Sequence, residues 1–138
     1  MKFVYETDEN GNEFVKEMWM VRVDDEIIAV TPSTMVDGVV IEGDYVVQDS
    51  DIITLTIRET TDDDAIELAR ISGAPGVMRI PIRHEDTADI PYGQYSADIE
   101  LITADGLHKT IWPVLKTERT RAGAGNLKNF VICSEVTR

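Results

Sequence analysis

The stretch of sequence that decides the fold is Glu85–Leu101, which reads EDTADIPYGQYSADIEL. From Tyr95 to the end of this stretch, apolar and polar residues alternate, which is typical of a strand with one buried face. Asp89, Gly93 and Tyr95 have the spacing of a tyrosine corner, in which glycine permits a sharp bend and the tyrosine hydroxyl bonds to the backbone of that bend. A tyrosine corner is typical of β-sandwiches, so this stretch indicates a scaffold rather than a catalyst.

Short strand patterns recur along the rest of the chain and are separated by turn residues. They occupy Phe3–Glu6, Phe14–Val23, Glu26–Thr31, Val39–Val47, Ile53–Arg58, Met78–Ile82, Leu107–Leu115 and Asn126–Val136. Asn10-Gly11 lies between the first two patterns and predicts a hairpin turn with both residues at positive φ. We expect Pro32 to end the third strand and Pro81 to place the sixth at a sheet edge or bulge. About eight short strands without a long helical period predict an all-β antiparallel sandwich.

Two further segments have a less regular pattern. Thr61–Arg70 would suit a short helix, but Ile66 and Leu68 alternate as in a strand, so a strand or a single irregular turn is the favoured interpretation. Arg119–Gly125 is expected to be a mobile loop. The length of 138 residues fits one domain with a core of its own. We divide this single domain into an N-terminal hairpin and strand extension, residues 1–38, and a sandwich, residues 39–138.

The charge balance narrows the classes of partner. The 26 acidic and 13 basic residues give a net charge of −13, which disfavours binding to nucleic acid or to an anionic membrane surface. Cys133 is the single cysteine, so an intrachain disulfide is impossible. The N-terminus has neither the apolar segment of a signal peptide nor a membrane-spanning run, which predicts synthesis and folding in the cytoplasm.

The residues capable of catalysis or metal binding do not form a known motif. His84 and His108 lack metal-ligand spacing, and Cys133 is not part of a Cys-His signature. Three acidic runs lack the spacing of a calcium loop and are typical of solvated turns. These runs are Asp24–Glu26, Asp49 with Asp51, and Asp62–Asp64. We therefore predict no catalytic, cofactor or metal site; an enzyme would require His84 or His108 in a pocket with a carboxylate.

Large apolar residues are concentrated in the N-terminal hairpin. A two-stranded hairpin alone is marginally stable in water, so this one must pack either on its own sandwich or on another chain. Trp112 alternates with His108 and Thr110, so it either fills the core or anchors a partner surface. The candidate interface residues are Phe3, Tyr5, Phe14, Trp19 and Trp112.

Several runs in the last two thirds of the chain occur in a particular order. They are Gly43-Asp44-Tyr45, Asp51–Arg58, Glu85–Thr87, Tyr92–Leu101, Asp105-Gly106, Thr110-Ile111, Phe130–Ile132 and Glu135–Thr137. In this order the runs resemble the immunoglobulin-like domain of phage and prophage tail proteins, the kind that opens baseplate upper proteins. The first forty residues lie outside the resemblance.

The resemblance implies an antiparallel immunoglobulin-like β-sandwich, here with an extra N-terminal β-hairpin. It also implies a non-enzymatic structural role in the tail, baseplate or neck of a phage or prophage particle, and it carries over no catalytic residues. The expected partners are further copies of the chain or other phage structural proteins, after synthesis in the cytoplasm of the bacterial host. The alternative from another class is a carbohydrate-binding or adhesion module, in which Trp112, Tyr92 and Trp19 would form a stacking platform.

Overall fold

The computed structural model of the chain describes residues 2–41, 43–60, 64–104, 108–109, 112–116, 121–123 and 126–133. In these residues the protein is all-β, with one short helix, α1, at His84–Thr87. The strands are β1 Lys2–Thr7, β2 Glu13–Val21, β3 Glu26–Val36, β4 Val39–Ile41, β5 Ile52–Arg58, β6 Glu67–Ser72, β7 Arg79–Ile82, β8 Gly93–Ile102, β9 His108–Lys109, β10 Trp112–Lys116, β11 Arg121–Gly123 and β12 Asn126–Cys133. Within these residues, no helix has the length and apolar character that crossing a membrane requires.

Hydrogen-bonded neighbours connect the strands in the order β4-β3-β10-β11-β2-β12-β8-β5-β6. In addition, β1 pairs with β2, β7 with β3, and β9 with β8. Among the described strands, β2 pairs in parallel with β11 and β12, whereas the remaining pairs are antiparallel. A single residue pair, Gly123 with Phe14, connects β11 to β2.

One core collects apolar side chains from strands along the whole length of the chain. Met18 and Met20 of β2 lie in the same buried cluster as Ile28 of β3, Leu55 of β5 and Phe130 of β12. The parallel pairing of β2 with β12 brings these distant segments together. The N-terminal hairpin therefore packs on the rest of its own chain, which is one of the two alternatives that the sequence left open.

Alternation along β5 and β8 is confirmed on the core side. Ile53, Leu55 and Ile57 of β5 are fully buried. The other side of β5 is also buried at Thr54 and Thr56, so the expectation of a half-buried strand was wrong there. β5 lies between β6 and β8, and the Thr54 hydroxyl is hydrogen-bonded to the Ser72 hydroxyl of β6 at 2.9 Å, which satisfies a buried polar group.

The predicted N-terminal hairpin is confirmed, but its predicted two-residue turn is wrong. Gly11 has a φ of 83°, whereas Asn10 does not have positive φ. The connection is instead a longer loop held by the Asp8 carboxylate, whose Oδ1 accepts hydrogen bonds from the backbone N–H groups of Asn10 and Asn12, both at 2.9 Å. The Asp8 side chain, two and four residues before the N–H groups that it binds, thus stabilises a longer loop in place of the two-residue turn that Asn10-Gly11 suggested.

The turn with two positive φ values occurs instead between β3 and β4. Asp37 and Gly38 have φ values of 52° and 78°, as a type I′ turn requires.

β3 continues through Pro32 to this turn, so the expected strand end at Pro32 was wrong. Pro32 lies opposite Pro113 of β10. Opposed residues of an antiparallel pair exchange either two hydrogen bonds or none, so two opposed prolines fit a position without hydrogen bonds.

The remaining segment predictions have mixed outcomes. The strand interpretation of Thr61–Arg70 is confirmed for β6, while residues 61–63 lie outside the described residues. β7 pairs with β3 alone among the described strands, as expected for an edge strand that contains Pro81. The predicted loop Arg119–Gly125 contains β11, whose pairing with β10 and β2 is a long-range contact that a local pattern does not show. Within the predicted strand Val39–Val47, Val39–Ile41 forms β4, and the described residues 43–47 are not in a strand.

Candidate interaction surface

The hydroxyl of Tyr95 donates a hydrogen bond to the backbone carbonyl of Pro91 at 2.6 Å. This contact closes the segment between α1 and β8 onto itself, which is the contact that a tyrosine corner requires. Gly93 does not have positive φ, and a Cβ there would make ordinary contacts with Tyr95, at 3.6 Å from its hydroxyl oxygen and 3.7 Å from its ring. The bend therefore does not depend on glycine, contrary to the sequence argument. The side chain of Asp89 is exposed.

The corner is also attached to the turn between β2 and β3. Thr87 is fully buried, and its Oγ1 accepts a hydrogen bond from the backbone N–H of Val23 at 2.9 Å. Val23 has a φ of 64°, an uncommon conformation for a β-branched residue, and this hydrogen bond helps to hold it. Helix α1, which precedes the corner, is thus hydrogen-bonded to the β2–β3 turn.

The five candidate interface residues do not form a common exposed surface. Phe3 is 9% exposed and lies in the core cluster rather than on an exposed surface. Tyr5 is half-buried and packs edge-on against Phe3, with 6.3 Å between ring centroids. Trp19 is half-buried, and its indole N–H donates to the Glu17 carboxylate. The side chains of Phe14 and Trp112 lie outside the described residues.

Tyr92 is the exposed aromatic residue closest to the corner. The guanidinium of Arg22 lies over its ring at 4.1 Å from the centroid, and the same guanidinium donates to the Tyr92 hydroxyl at 3.0 Å. One face of the Tyr92 ring is therefore occupied by a cation. A stacking platform needs several free ring faces side by side; of the two predicted platform rings that the structure describes, Tyr92 has one face covered and Trp19 is half-buried.

The exposed His84 side chain is engaged in local ionic contacts. His84 lies between the carboxylates of Asp25 and Glu85, with an N–O distance of 3.2 Å to each, and all three side chains are exposed. The backbone N–H of His84 also donates to Asp25, which lowers the pKa of that carboxyl. Among the described residues, no group of three or more His, Cys, Asp or Glu side chains is placed to hold a metal ion. The side chain of His108 lies outside the described residues.

Asp51 was expected in a solvated turn, but it is buried. Its Oδ2 accepts hydrogen bonds from the Tyr45 hydroxyl and from the backbone N–H of Gln48, both at 2.9 Å. Its carbonyl accepts a hydrogen bond from the N–H of Gly76 at 2.8 Å. Burial, together with the neighbouring Asp51, raises the pKa of Tyr45. Asp51 therefore organises the loop between β4 and β5 rather than facing solvent.

The outer side of β5, β6 and β8 carries paired charges. Arg58 contacts Asp98 at 3.3 Å, and Arg70 contacts Glu67 at 2.7 Å. Burial raises the pKa of Asp98, an effect that the nearby Arg58 partly opposes. The Oδ1 atom of Asp98 is buried without a hydrogen-bond partner in the part of the chain that the structure describes.

A further surface, not predicted from the sequence, lies on the β3–β4 hairpin. Val36 is directly opposite Val39, and Ile41 is opposite Thr34. Opposed residues and residues two positions apart share one face of a sheet, so these side chains are neighbours. Val36, Val39 and Ile41 are 51%, 47% and 42% exposed. We call these three residues the hairpin patch. The Asp37-Gly38 dipeptide between the apolar runs that end at Val36 and begin at Val39 is the sequence signal for this hairpin.

Comparison of the chain with models of known protein families, with curated proteins and with solved structures found no match.

Proposed function

We propose that the chain is an immunoglobulin-like β-sandwich that serves as a non-enzymatic structural component of a phage or phage-like particle and acts by protein–protein assembly. One observation carries this proposal. Three of the runs that resemble phage tail domains, within residues 51–58, 92–101 and 130–132, belong to β5, β8 and β12, which are neighbours in the sheet. The resemblance therefore concerns one contiguous structural unit rather than scattered turns.

The strand order supports the immunoglobulin-like part of the proposal. In that fold, strands G, F, C and C′ lie side by side in one sheet, B and E pair in the other, and the tyrosine corner lies near the start of F. Here β12, β8, β5 and β6 are consecutive neighbours, and β3 pairs with β7. Tyr95, which bonds to Pro91, lies near the start of β8, the strand in the position of F.

Two departures limit the comparison to the general fold. In antibody domains a disulfide-forming cysteine follows the corner tyrosine by two residues. That position is Ala97 here, which is buried in the core, and the chain has a single cysteine. β9, β10 and β11 also lie between β8 and β12 along the chain, and β10 pairs with β3. These strands are additions to the pattern of the fold.

The carbohydrate-binding alternative has less support from the geometry. It requires a platform of exposed rings, whereas Arg22 covers one face of Tyr92 and Trp19 is half-buried. The N-terminal hairpin, the original candidate for a contact surface, contributes to the core instead. An assembly role therefore needs another surface.

The particle proposal is tested in the bacterial strain whose genome encodes the chain. Phage-like particles are induced with a DNA-damaging agent, purified on a density gradient and analysed by mass spectrometry and negative-stain microscopy. We expect the chain at a fixed ratio to other particle proteins, and an in-frame deletion to give incomplete particles that the full chain restores. A chain that stays outside the particle fraction, with normal particles in the deletion strain, would overturn the proposal.

A further inference from the structure

The hairpin patch is an exposed apolar surface at the end of a strand pair. Its three aliphatic side chains are adjacent across the β3–β4 ladder, and each is about half exposed. Singly exposed aliphatic residues are ordinary on protein surfaces, but a contiguous group rimmed by charges is typical of a contact site. The patch lies on β4, a terminal strand of the connected sheet.

The charged residues next to the patch in the sequence are acidic. Residues 34–44, which include the patch, contain three acidic residues and no Lys or Arg. Asp37 forms the turn between Val36 and Val39, and the exposed Asp44 accepts a hydrogen bond from the Thr34 hydroxyl at 2.8 Å, on the patch face. The loop from Asp8 to Asn12 lies against the turn, because the Asn12 amide donates to the Gly38 carbonyl at 2.7 Å.

The same contacts determine how a partner can bind. Asn12 Oδ1 accepts a hydrogen bond from the backbone N–H of Val40 at 2.8 Å, while its Nδ2 donates to Gly38. The side chain of Asn12 thus occupies the backbone groups that an added strand would use at this point. A partner must therefore contact the face of the hairpin, where the side chains of the patch project, rather than extend the sheet at β4.

We propose that the hairpin patch is a docking surface for a protein segment that carries aliphatic side chains flanked by lysine or arginine. Charge complementarity favours this occupant over a second copy of the chain, because two copies would bring acidic rims together in a protein with a net charge of −13. The proposal rests on the assembly role and gives the partner its chemistry. A small patch supports weak single contacts, which repetition in a particle would strengthen.

The first experiment measures binding of a helical peptide built from leucine and lysine to the full chain, by calorimetry and by amide chemical shifts. Two matched peptides replace the lysines with glutamates or the leucines with serines. We expect the leucine–lysine peptide to bind and to shift the amides of residues 34–44, whereas both matched peptides bind at least about tenfold more weakly. Equal binding of the glutamate peptide, or shifts centred elsewhere, would overturn the proposal.

Variants of the full chain provide the second test. Val39→Ser combined with Ile41→Ser should weaken peptide binding about tenfold. The control Ile27→Ser changes an aliphatic residue of β3 that is 65% exposed and lies outside the patch, and it should leave binding unchanged. Asp37→Asn should also weaken binding, since asparagine tolerates the positive φ of the turn but lacks the charge. Equal effects of the patch and control variants would contradict the assignment.

The remaining occupant is a second copy of the chain. Light scattering measures whether the full chain associates with itself, and we expect no association through the patch. A self-association that is lost in the variant with Val39→Ser and Ile41→Ser would overturn the choice of a basic partner. The result of the peptide-binding experiment can be distinguished from the result of the particle experiment. Peptide binding without incorporation into particles would remove the particle role and leave the docking surface. Incorporation without peptide binding would remove the docking surface alone.

Discussion

The β1–β2 and β3–β4 hairpins have similar dipeptides at their turns but different positions in the molecule. Asn10-Gly11 lies in a loop that the Asp8 carboxylate holds, and strand β2 leads from this loop into the core. Asp37-Gly38 forms a type I′ turn, and its hairpin carries three exposed aliphatic residues. The comparison teaches that large aromatic residues do not identify a contact surface, because the hairpin that carries them is the one that contributes to the core, whereas the exposed patch consists of aliphatic residues.

The largest expected effect tests which hairpin belongs to the core. Met18 of β2 is 0% exposed, so Met18→Ala should lower the free energy of unfolding by about 2–5 kcal/mol through lost burial and a cavity. The matched change Val39→Ala, in the hairpin patch, should cost less than about 0.5 kcal/mol. Denaturant unfolding measures both.

If Met18→Ala does not fold, Met18→Leu keeps most of the volume and should cost less than about 1.5 kcal/mol. Similar costs for Met18→Ala and Val39→Ala would mean that the β1–β2 hairpin is not part of the core.

Local pattern predicted much of this fold because strand alternation is a local property. Ile53, Leu55 and Ile57 were correctly expected on one buried side, and so were the alternating residues of β8. The contacts of these strands were not predictable in the same way. The burial of Thr54 and Thr56 depends on what covers the outer side of β5, and the position of β2 depends on pairing with β12, more than a hundred residues later.

The candidate site was predicted less well than the fold. A large aromatic side chain can serve either the core or an interface, and size alone does not distinguish a core residue such as Phe3 from an interface residue. The hairpin patch consists of aliphatic residues on a strand pair, and their exposure follows from where the sheet ends. The buried Asp51 shows the same problem for charges, since its acidic run gave no indication of the Tyr45 and Gln48 contacts.

The second prediction concerns Asn12, the residue that connects the two hairpins. Its amide donates to the Asp8 carboxylate at 3.0 Å and to the Gly38 carbonyl, and it accepts from Val40. Because Asn12 is buried, Asn12→Ala should remove these three hydrogen bonds, leave the Gly38 carbonyl and the Val40 N–H without this partner, and cost about 1–3 kcal/mol. Amide hydrogen exchange should also become faster at Val40.

Asn10→Ala is the matched control, because Asn10 is an exposed residue of the same loop and its substitution should cost less. If Asn12→Ala leaves both stability and exchange at Val40 unchanged, the two hairpins are independent of each other.

The third prediction compares the two glycines. Gly11 and Gly38 have φ values of 83° and 78°, so alanine at either position should cost about 1 kcal/mol through backbone strain. A Cβ at Gly38 would lie 2.9 Å from Nδ2 of Asn10, whereas a Cβ at Gly11 would meet nothing within 4 Å. Gly38→Ala should therefore cost somewhat more than Gly11→Ala in denaturant unfolding. The opposite order would show that the β1–β2 loop is the more constrained turn.

The smallest expected effect is a pH dependence at Asp8. The hydrogen bonds from the Asn12 side chain, and then from the backbone of Asn12 and Asn10, lower the pKa of this carboxyl below its ordinary value of 3.8. A carboxyl with a lower pKa in the folded state stabilises the fold above its unfolded pKa, and this contribution is lost as the pH falls through the folded value.

Asp8→Asn removes the titrating charge but keeps an acceptor for the loop. The denaturant midpoint of the wild type should therefore exceed that of Asp8→Asn by the largest margin at pH 5 to 7, and the margin should shrink toward about pH 2 to 3. Other carboxyls titrate in both proteins and cancel in the difference, so a margin that is constant with pH would show that the Asp8 charge does not hold the β1–β2 loop.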